Sequence, residues 1–317
     1  MVEPPCDSLS ISSIGIGIDD SLIVKWDQDG SLQGHRSPGN TSSSGGLITV
    51  NKLDGAIDRI STEVSPNVFT GIQALPHHEF LLYGAPFQPG GLDAECNAVV
   101  IDASGNVRRT GFLGPGINDV RTTSAGRIIV AYSDEGLLGG EGEWGVVGGA
   151  GISEFDLDFR QVWAYPNDGS VESIIDCYAL NVVGEAVWAY GYDAFDISRI
   201  DRGVVSTWSN RLKEGAGDIL VAGAAIALTG GYDESPDKLS IYSLEDGFIQ
   251  QIGERRLIFE GLKPASRVNR PDQVAWNFSF ANGSMLHRVT LDGRWYRIDI
   301  SELIALLPPL SVVAVHG

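Results

Sequence analysis

The sequence predicts an all-β protein, a single six-bladed β-propeller with four antiparallel strands in each blade. Short β-rich runs bounded by turn residues recur along the whole chain, and a strand–turn–strand marker repeats six times. No stretch of ten or more residues carries a helical apolar period, except weakly Ser301–Leu307. Glycine makes up 40 of the 317 residues, which suits many tight turns because glycine adopts positive φ without strain.

The marker repeat sets the predicted blade count. It is a strand that ends in a turn with Asp or Gly and leads into another strand, as in Val100–Thr110 and Val289–Asp299. Its turns lie 50, 54, 44, 44 and 46 residues apart, at Gly55, Gly105, Phe159, Gly203, Gly247 and Gly293. Six copies at this period leave no room for a second domain. A poor first strand in the N-terminal unit keeps five or seven blades open as alternatives.

Each copy is interpreted as four strands, A to D. A β-rich run before each marker is strand B, as in Ile128–Tyr132 and, in the last copy, Val274–Phe278. Stacking such sheets around an axis buries faces that one sheet cannot bury alone. The blades are predicted at residues 8–64, 67–111, 115–166, 170–210, 212–258 and 262–304 of one domain spanning 1–317. The tail, residues 303–317, is predicted to pack against the N-terminal unit and close the ring, because open sheet edges invite association.

Composition narrows the classes of partner. The formal net charge of −19 argues against nucleic acid and against anionic membrane surfaces, which are bound through Lys and Arg. The apolar run Leu303–Val315 is too short to span a bilayer. Three scattered cysteines do not make a disulfide framework or a zinc site. The N-terminus has no basic and apolar signal-peptide pattern, so a cytoplasmic location is predicted.

Two segments carry a resemblance to known propellers. Gly116–Tyr132 (GINDVRTTSAGRIIVAY) and Gly151–Val162 (GISEFDLDFRQV) look like the repeats of NHL-type and gluconolactonase-type (SMP-30-like) six-bladed propellers. The spacing of the repeats is similar over most of the chain, whereas the residues themselves match over only about 20 positions. It implies the propeller fold. For the gluconolactonase type it also implies a divalent cation, held in the central channel by Asn, Asp and Glu side chains from the starts of the A strands.

The polar residues fit such a cation site in part. Acidic residues concentrate at A-strand starts and in the B–C loops, and hard cations such as Ca²⁺ take several carboxylate and amide oxygens. By resemblance, Asn118 and Asp176 would be two ligands, with Gln73 or Asp218 near a third, and Asp119 is the candidate general base. The chain departs from the family pattern at two places. The first A strand has no glutamate, and Gln73 stands where an asparagine is expected.

The B–C loops form a second candidate site, an acidic ligand-binding face around the channel mouth. Long loops on one side of a rigid scaffold are where binding residues concentrate. An exposed tryptophan beside carboxylates would suit a cationic or sugar-like ligand. The face is predicted to contain Asp134, Glu135, Trp144, Asp193 and Asp233.

Two functions follow as hypotheses. The leading one is a non-enzymatic binding or scaffold propeller that takes a small molecule or a protein on the acidic loop face. The rival is a divalent-metal-dependent, lactonase-like hydrolase, in which the cation polarises a carbonyl. At least three convergent oxygen ligands in the channel would favour the enzyme. The sequence leaves the ligand, the bound metal and the oligomeric state open.

Overall fold

The computed structural model describes residues 2, 4–5, 9–27, 46–64, 69–84, 96–138, 150–262, 278–290 and 292–306. Within them, the strands form six antiparallel sheets, and the predicted six-bladed β-propeller is confirmed. The innermost strands of neighbouring sheets contact each other around the whole ring, including the first and the sixth. The predicted domain limits include stretches outside the described residues and stay a prediction.

The blades follow one another along the chain. Blade one contains β1 (Ser10–Ile16), β2 (Leu22–Asp27), β3 (Gly46–Asn51) and β4 (Ile57–Thr62). Blade two contains β5 (Gly71–Leu75), β6 (Glu79–Tyr83), β7 (Ala98–Ile101) and β8 (Val107–Gly111), with a 3-10 turn at Pro76–His78. Blade three contains β9 (Ile117–Thr122), β10 (Ile128–Tyr132), α1 (Asp134–Leu138), β11 (Ile152–Phe155) and β12 (Gln161–Ala164).

The second half repeats the pattern. Blade four contains β13 (Ile174–Val183), β14 (Ala186–Asp193), β15 (Ile197–Asp201) and β16 (Val204–Trp208). Blade five contains β17 (Asp218–Ala222), β18 (Ala225–Thr229), β19 (Lys238–Leu244) and β20 (Ile249–Arg256). Blade six contains β21 (Phe278–Asn282), β22 (Met285–Val289) and β23 (Trp295–Asp299), and α2 (Ile300–Ala305) follows it.

Blade six corrects one strand assignment. Val274–Phe278 was predicted to be its second strand, but the innermost strand begins only at Phe278, and residues 274–277 lie outside the described part. The tight turn after Asn282 joins the first and second strands, because Gly283 supplies a φ of +56°. The marker turn at Gly293 therefore joins the second and third strands, rather than the third and fourth.

The core consists of six apolar clusters, one at each interface between neighbouring blades. Strand β10 shows how the sequence builds them. Its five residues are all buried, and alternate side chains point to opposite faces of a strand. Ile128, Val130 and Tyr132 accordingly pack toward blade two, whereas Ile129 and Ala131 pack toward blade four. Burial on both faces explains why the second strands read as continuous apolar runs.

The two ends of the described chain meet blade six differently. The Val2 amide donates to the Gly293 carbonyl over 2.7 Å, and the Val2 side chain joins the cluster between blades six and one. Helix α2 instead places Leu303 and Ile304 in the cluster between blades five and six. The tail was predicted to pack against the N-terminal unit. Its described start packs between blades five and six instead. Residues 307–317 lie outside the described part. Among the described helices, none is long and apolar enough to cross a membrane.

Candidate functional site

The six innermost strands enclose a central channel that contains a cavity of about 280 Å³. Every blade contributes to its wall. Polar and aromatic side chains face it from Ser13, Tyr83, Asn118, Asp119, Arg121, Tyr178, Asp218, Ser279 and Phe280. Three of the five residues predicted to hold or serve a cation in the channel, Asn118, Asp119 and Asp218, line this cavity. A fourth, Asp176, stands two residues before the lining residue Tyr178 on β13, at the end of the channel that we call its mouth.

Asp119 and Arg121 form an ion pair inside this channel. Both lie on β9, two residues apart and therefore on one face of the strand. Arg121 Nη2 lies 2.9 Å from Asp119 Oδ2, and the guanidinium carbon lies 5.1 Å from the centre of the Phe280 ring. Burial raises the pKa of the Asp119 carboxyl, and Arg121 acts against that rise. Arg121 thus brings a fixed positive charge to the place where a metal ion was predicted.

The Asp218 carboxylate contacts side chains from three other strands. It accepts hydrogen bonds from Thr229 Oγ1 at 2.7 Å and from Ser279 Oγ at 2.8 Å, and Arg288 Nη2 lies 3.3 Å away. Arg288 is 1% exposed, and burial lowers the pKa of its guanidinium while Asp218 opposes that change. The carboxylate therefore balances a buried charge between blades five and six.

The two predicted amide ligands are arranged differently. Asn118 Nδ2 donates to the Cys177 carbonyl at 2.6 Å, which links blades three and four. Gln73 is 3% exposed, and its Nε2 makes no hydrogen bond among the described residues. Tyr83 lies near Gln73 and Asp119, and burial raises the pKa of the Tyr83 hydroxyl, as does the Asp119 charge.

This donor set does not fit a divalent cation. Asp119 is paired with Arg121 and Asp218 with Arg288, so two of the three predicted carboxylates already have a positive partner. Within the described ranges, no group of three or more His, Cys, Asp or Glu side chains is placed to hold a metal. A second positive charge beside the Arg121 guanidinium would be repelled. Metal binding at Asn118, Asp176, Asp218 and Gln73 stays a prediction, which the melting temperature in the presence of divalent metals tests.

The channel mouth gathers a second group of carboxylates around Asp176. Asp176 lies near the start of β13 and is half-buried, and its Oδ1 makes no hydrogen bond within the part of the chain that the structure covers. Burial raises the pKa of this carboxyl, and the charges of Asp134 and Glu135 raise it further. Both of these residues are exposed in the short helix α1, which packs against β10 and β13. Two predicted face residues and one predicted metal ligand therefore form one acidic neighbourhood.

An aromatic cluster stands beside these carboxylates, with Phe195 at its centre. The ring centres of Tyr178, Tyr192 and Tyr232 lie 5.5–5.8 Å from that of Phe195. The Tyr178 and Tyr232 hydroxyls lie 2.8 Å apart. Burial raises the pKa of the Tyr178 hydroxyl, as do Tyr232, Asp176 and Asp134. Tyr178 also lines the channel cavity, so the cluster connects the mouth with the interior.

Local geometry places these rings. Tyr192 lies opposite Asp176 in the β13–β14 ladder, and Tyr192 and Tyr232 are 40% and 44% exposed. A Cβ atom at position 215 would come within 2.4 Å of the Tyr232 ring, and Gly215 has a φ of +70°. Only glycine meets both conditions without strain. The Tyr232 ring can therefore lie directly against the backbone at Gly215.

The remaining predicted face residues have mixed outcomes. Asp193 follows Tyr192, and Asp233 follows Tyr232; both acidic residues are exposed beside the aromatic cluster. Trp144 lies outside the described residues. The structure adds Arg121 and the tyrosines, which were not among the predicted site residues. Alternation along β9 could have placed Arg121 with Asp119, whereas the tyrosines come together from separate loops and blades.

Comparisons with known proteins concern the fold alone. No protein-family model and no curated protein matches this chain. Among solved structures, virginiamycin B lyase from Staphylococcus aureus has a TM-score of 0.47 and 12% identity over 94% of this chain and 86% of its own. The β-propeller domain of Cps50 (Swd1) from Myceliophteria thermophila has a TM-score of 0.48 and 11% identity, over 93% and 83%. A putative 6-phosphogluconolactonase from Bacteroides uniformis has a TM-score of 0.44 and 14% identity, over 81% and 78%.

Proposed function

We propose that the protein is a binding propeller that takes a small molecule or a protein segment at the acidic mouth of its channel. The observation that carries the proposal is Asp176, a half-buried carboxylate whose Oδ1 makes no hydrogen bond among the described residues, on a strand that packs against the helix bearing Asp134 and Glu135. Like charges gathered at one place repel each other unless a cation or a proton intervenes. A positively charged group of a ligand would relieve this repulsion.

The tyrosines favour an organic cation at this mouth. Aromatic faces attract ammonium and guanidinium groups, and the attraction grows when water is excluded. Tyr192 and Tyr232 expose part of their rings, and Tyr178 leads from them into the channel cavity. A rigid ring of strands carries the site, which suits recognition because little of the scaffold must be ordered on binding.

A thermal-shift screen tests the proposal. The purified protein is heated with cationic, neutral and anionic small molecules and with Lys- or Arg-bearing peptides. Cationic compounds should raise the melting temperature of the wild type, and Asp176→Asn should remove most of that rise. Asp158→Asn is the matched control, because Asp158 is an exposed aspartate in the turn before β12. Equal responses of the two variants, or no response to any compound, would contradict the proposal.

The divalent-metal-dependent hydrolase remains the second hypothesis. It would need Asp119 as the general base and a cation near Asn118 and Asp176. The ion pair of Asp119 with Arg121 weighs against it, since the guanidinium stands beside the candidate base. Metal titration distinguishes the two hypotheses.

A further inference from the structure

We infer that the ligand is a small zwitterion, with its carboxylate bound by Arg121 in the channel and its ammonium group at the Asp176 mouth. This inference rests on the proposed binding function and specifies its ligand. The relevant observation is that Arg121 and Tyr178 line one cavity, and that Asp176 stands two residues before Tyr178 on the same strand, toward the start of that strand.

Arg121 supplies the inner half of the site. The residue is 9% exposed and borders the cavity, and its ion pair with Asp119 uses Nη2. Arg121 Nε makes no hydrogen bond among the described residues although it is buried. A buried donor without an acceptor is costly, and the guanidinium fork matches carboxylate geometry. The side chain thus has donor capacity beyond the one bond that Asp119 accepts.

The mouth supplies the outer half. Asp176, Asp134 and Glu135 place negative charge there, and the Tyr178–Tyr232 pair adds aromatic faces and hydroxyl groups. Tyr178 connects the two halves, because it lines the cavity and lies within the electrostatic reach of Asp176 and Asp134. An ammonium group at the mouth and an acceptor at Arg121 would therefore belong to one molecule.

Charge excludes the simpler ligands. A plain anion would have to pass the acidic mouth of a protein with a net charge of −19. A plain cation would suit the mouth but leave Arg121 without an added acceptor. The two ion pairs Asp119–Arg121 and Asp218–Arg288 leave the cavity wall nearly neutral, so a neutral molecule with one end of each sign is complementary to the whole site.

Size points to a compact molecule. The cavity of about 280 Å³ lies just below the range of roughly 300–1,000 Å³ that is usual for drug-sized ligands. An amino acid or a betaine is of the appropriate class. A longer zwitterion would extend past Tyr178 into solvent.

Isothermal titration calorimetry with matched probes tests this inference. The zwitterionic probes are glycine betaine, β-alanine and γ-aminobutyrate. Choline keeps the trimethylammonium group of glycine betaine without the carboxylate, and 3,3-dimethylbutyrate keeps its shape and carboxylate without the positive charge. At least one zwitterion should bind the wild type tenfold or more tightly than both single-charge compounds. These comparisons need no variant, so they hold even if a channel substitution prevents folding.

Two variants then assign the ends of the ligand. Arg121→Gln should weaken the zwitterion tenfold or more while leaving choline unchanged, and Asp176→Asn should weaken both. Arg160→Gln and Asp158→Asn are matched controls, since these two residues form an exposed pair at 3.6 Å. If choline binds as tightly as the zwitterions, the inference is wrong and the proposed function stands. If dimethylbutyrate binds best, or if no probe and no other cation binds, both are wrong.

Discussion

Arg121 Nη2 lies 2.9 Å from Asp119 Oδ2, and the two side chains share one face of the strand that lines the channel. The candidate base of a metal-dependent reaction is thus paired with a fixed guanidinium. Arg121 thus neutralises the Asp119 charge, as a bound cation would otherwise do.

Divalent metals should leave the melting curve of the wild type unchanged, because Arg121 already offsets the Asp119 charge and no three His, Cys, Asp or Glu side chains of the described residues are placed to hold a metal ion. The metal-hydrolase hypothesis predicts otherwise. Ca²⁺ at 100 times its dissociation constant would add about 2.7 kcal/mol. A chain of 317 residues would then melt about 4 °C higher, at an unfolding entropy of roughly 2.1 cal/mol/K per residue. Differential scanning calorimetry with Ca²⁺, Mg²⁺, Mn²⁺ and Zn²⁺, with metal analysis of protein purified without chelator, makes the measurement.

A rise in melting temperature that Asp176→Asn abolishes and Asp29→Asn does not would restore the metal hypothesis. Asp29 lies in the first B–C loop by sequence and is not among the predicted metal ligands. A rise in every variant alike would indicate nonspecific binding to a protein of high negative charge.

Removing Asp218 should destabilise the fold strongly. Asp218 accepts from Ser279 and Thr229 and balances Arg288, which is almost fully buried. Breaking a buried ion pair costs about 3–5 kcal/mol, because the remaining charge loses its partner. Urea unfolding of Asp218→Ala measures the loss. Asp158→Ala, which breaks an exposed pair with Arg160, should change the stability by less than about 1 kcal/mol. Similar losses in the free energy of unfolding would show that the buried pair contributes no more to stability than the exposed pair does.

Asp176→Asn should raise the melting temperature at pH 7. The folded protein holds the Asp176 proton more tightly than the unfolded chain does, because burial, Asp134 and Glu135 raise its pKa above 3.8. Ionisation therefore costs stability as the pH rises from 3.8 through the raised pKa, and the cost is then constant. The difference between variant and wild type should shrink as the pH falls through the raised pKa and disappear below 3.8. A variant that melts lower than the wild type at pH 7 would refute the repulsion.

The blade rhythm was predictable because the same turn recurs. The glycines at 55, 105, 203, 247 and 293 have φ values between +79° and +90°, and Phe159 takes the same region at +61°. Tight turns that need positive φ select glycine, so their spacing is visible in the sequence. The sixth blade was misassigned because its marker turn follows the second strand. The Asn282–Gly283 dipeptide, a hairpin signal, indicated this arrangement.

The candidate site was predictable only along single strands. Asp119, Asp176 and Asp218 were placed near strand starts, and the structure finds them in the wall or mouth of the channel. Their partners come from distant parts of the chain. Arg288 approaches Asp218 from the next blade, and Tyr232 meets Tyr178 across 54 residues. Such contacts depend on how blades and loops pack, which a period in the sequence does not encode.

Phe195→Ala should loosen the mouth as a whole. Phe195 is 6% exposed and contacts the rings of Tyr178, Tyr192 and Tyr232. Truncating a buried phenylalanine costs about 3–5 kcal/mol. Tyr192→Ala, at a ring that is 40% exposed, should cost clearly less. Urea unfolding followed by tryptophan fluorescence compares the two variants. An equal loss in the free energy of unfolding would show that Phe195 contributes no more to the cluster than Tyr192 does.

Two truncations separate the parts of the C-terminal tail. Ending the chain at residue 302 removes Leu303 and Ile304 from the cluster that Leu220 and Ile300 share. Burying one such side chain fully stabilises by about 1.5–3 kcal/mol, so two partly buried ones should contribute about 2 kcal/mol, or roughly 3 °C in melting temperature. Ending it at residue 306 keeps α2 and removes only residues 307–317. If these residues seal the ring against the N-terminal unit, this shorter deletion must also lower the melting temperature. A protein ending at 306 that melts like the full chain would show that residues 307–317 do not seal the ring, and that the contacts of Val2 and of β1 with blade six are sufficient.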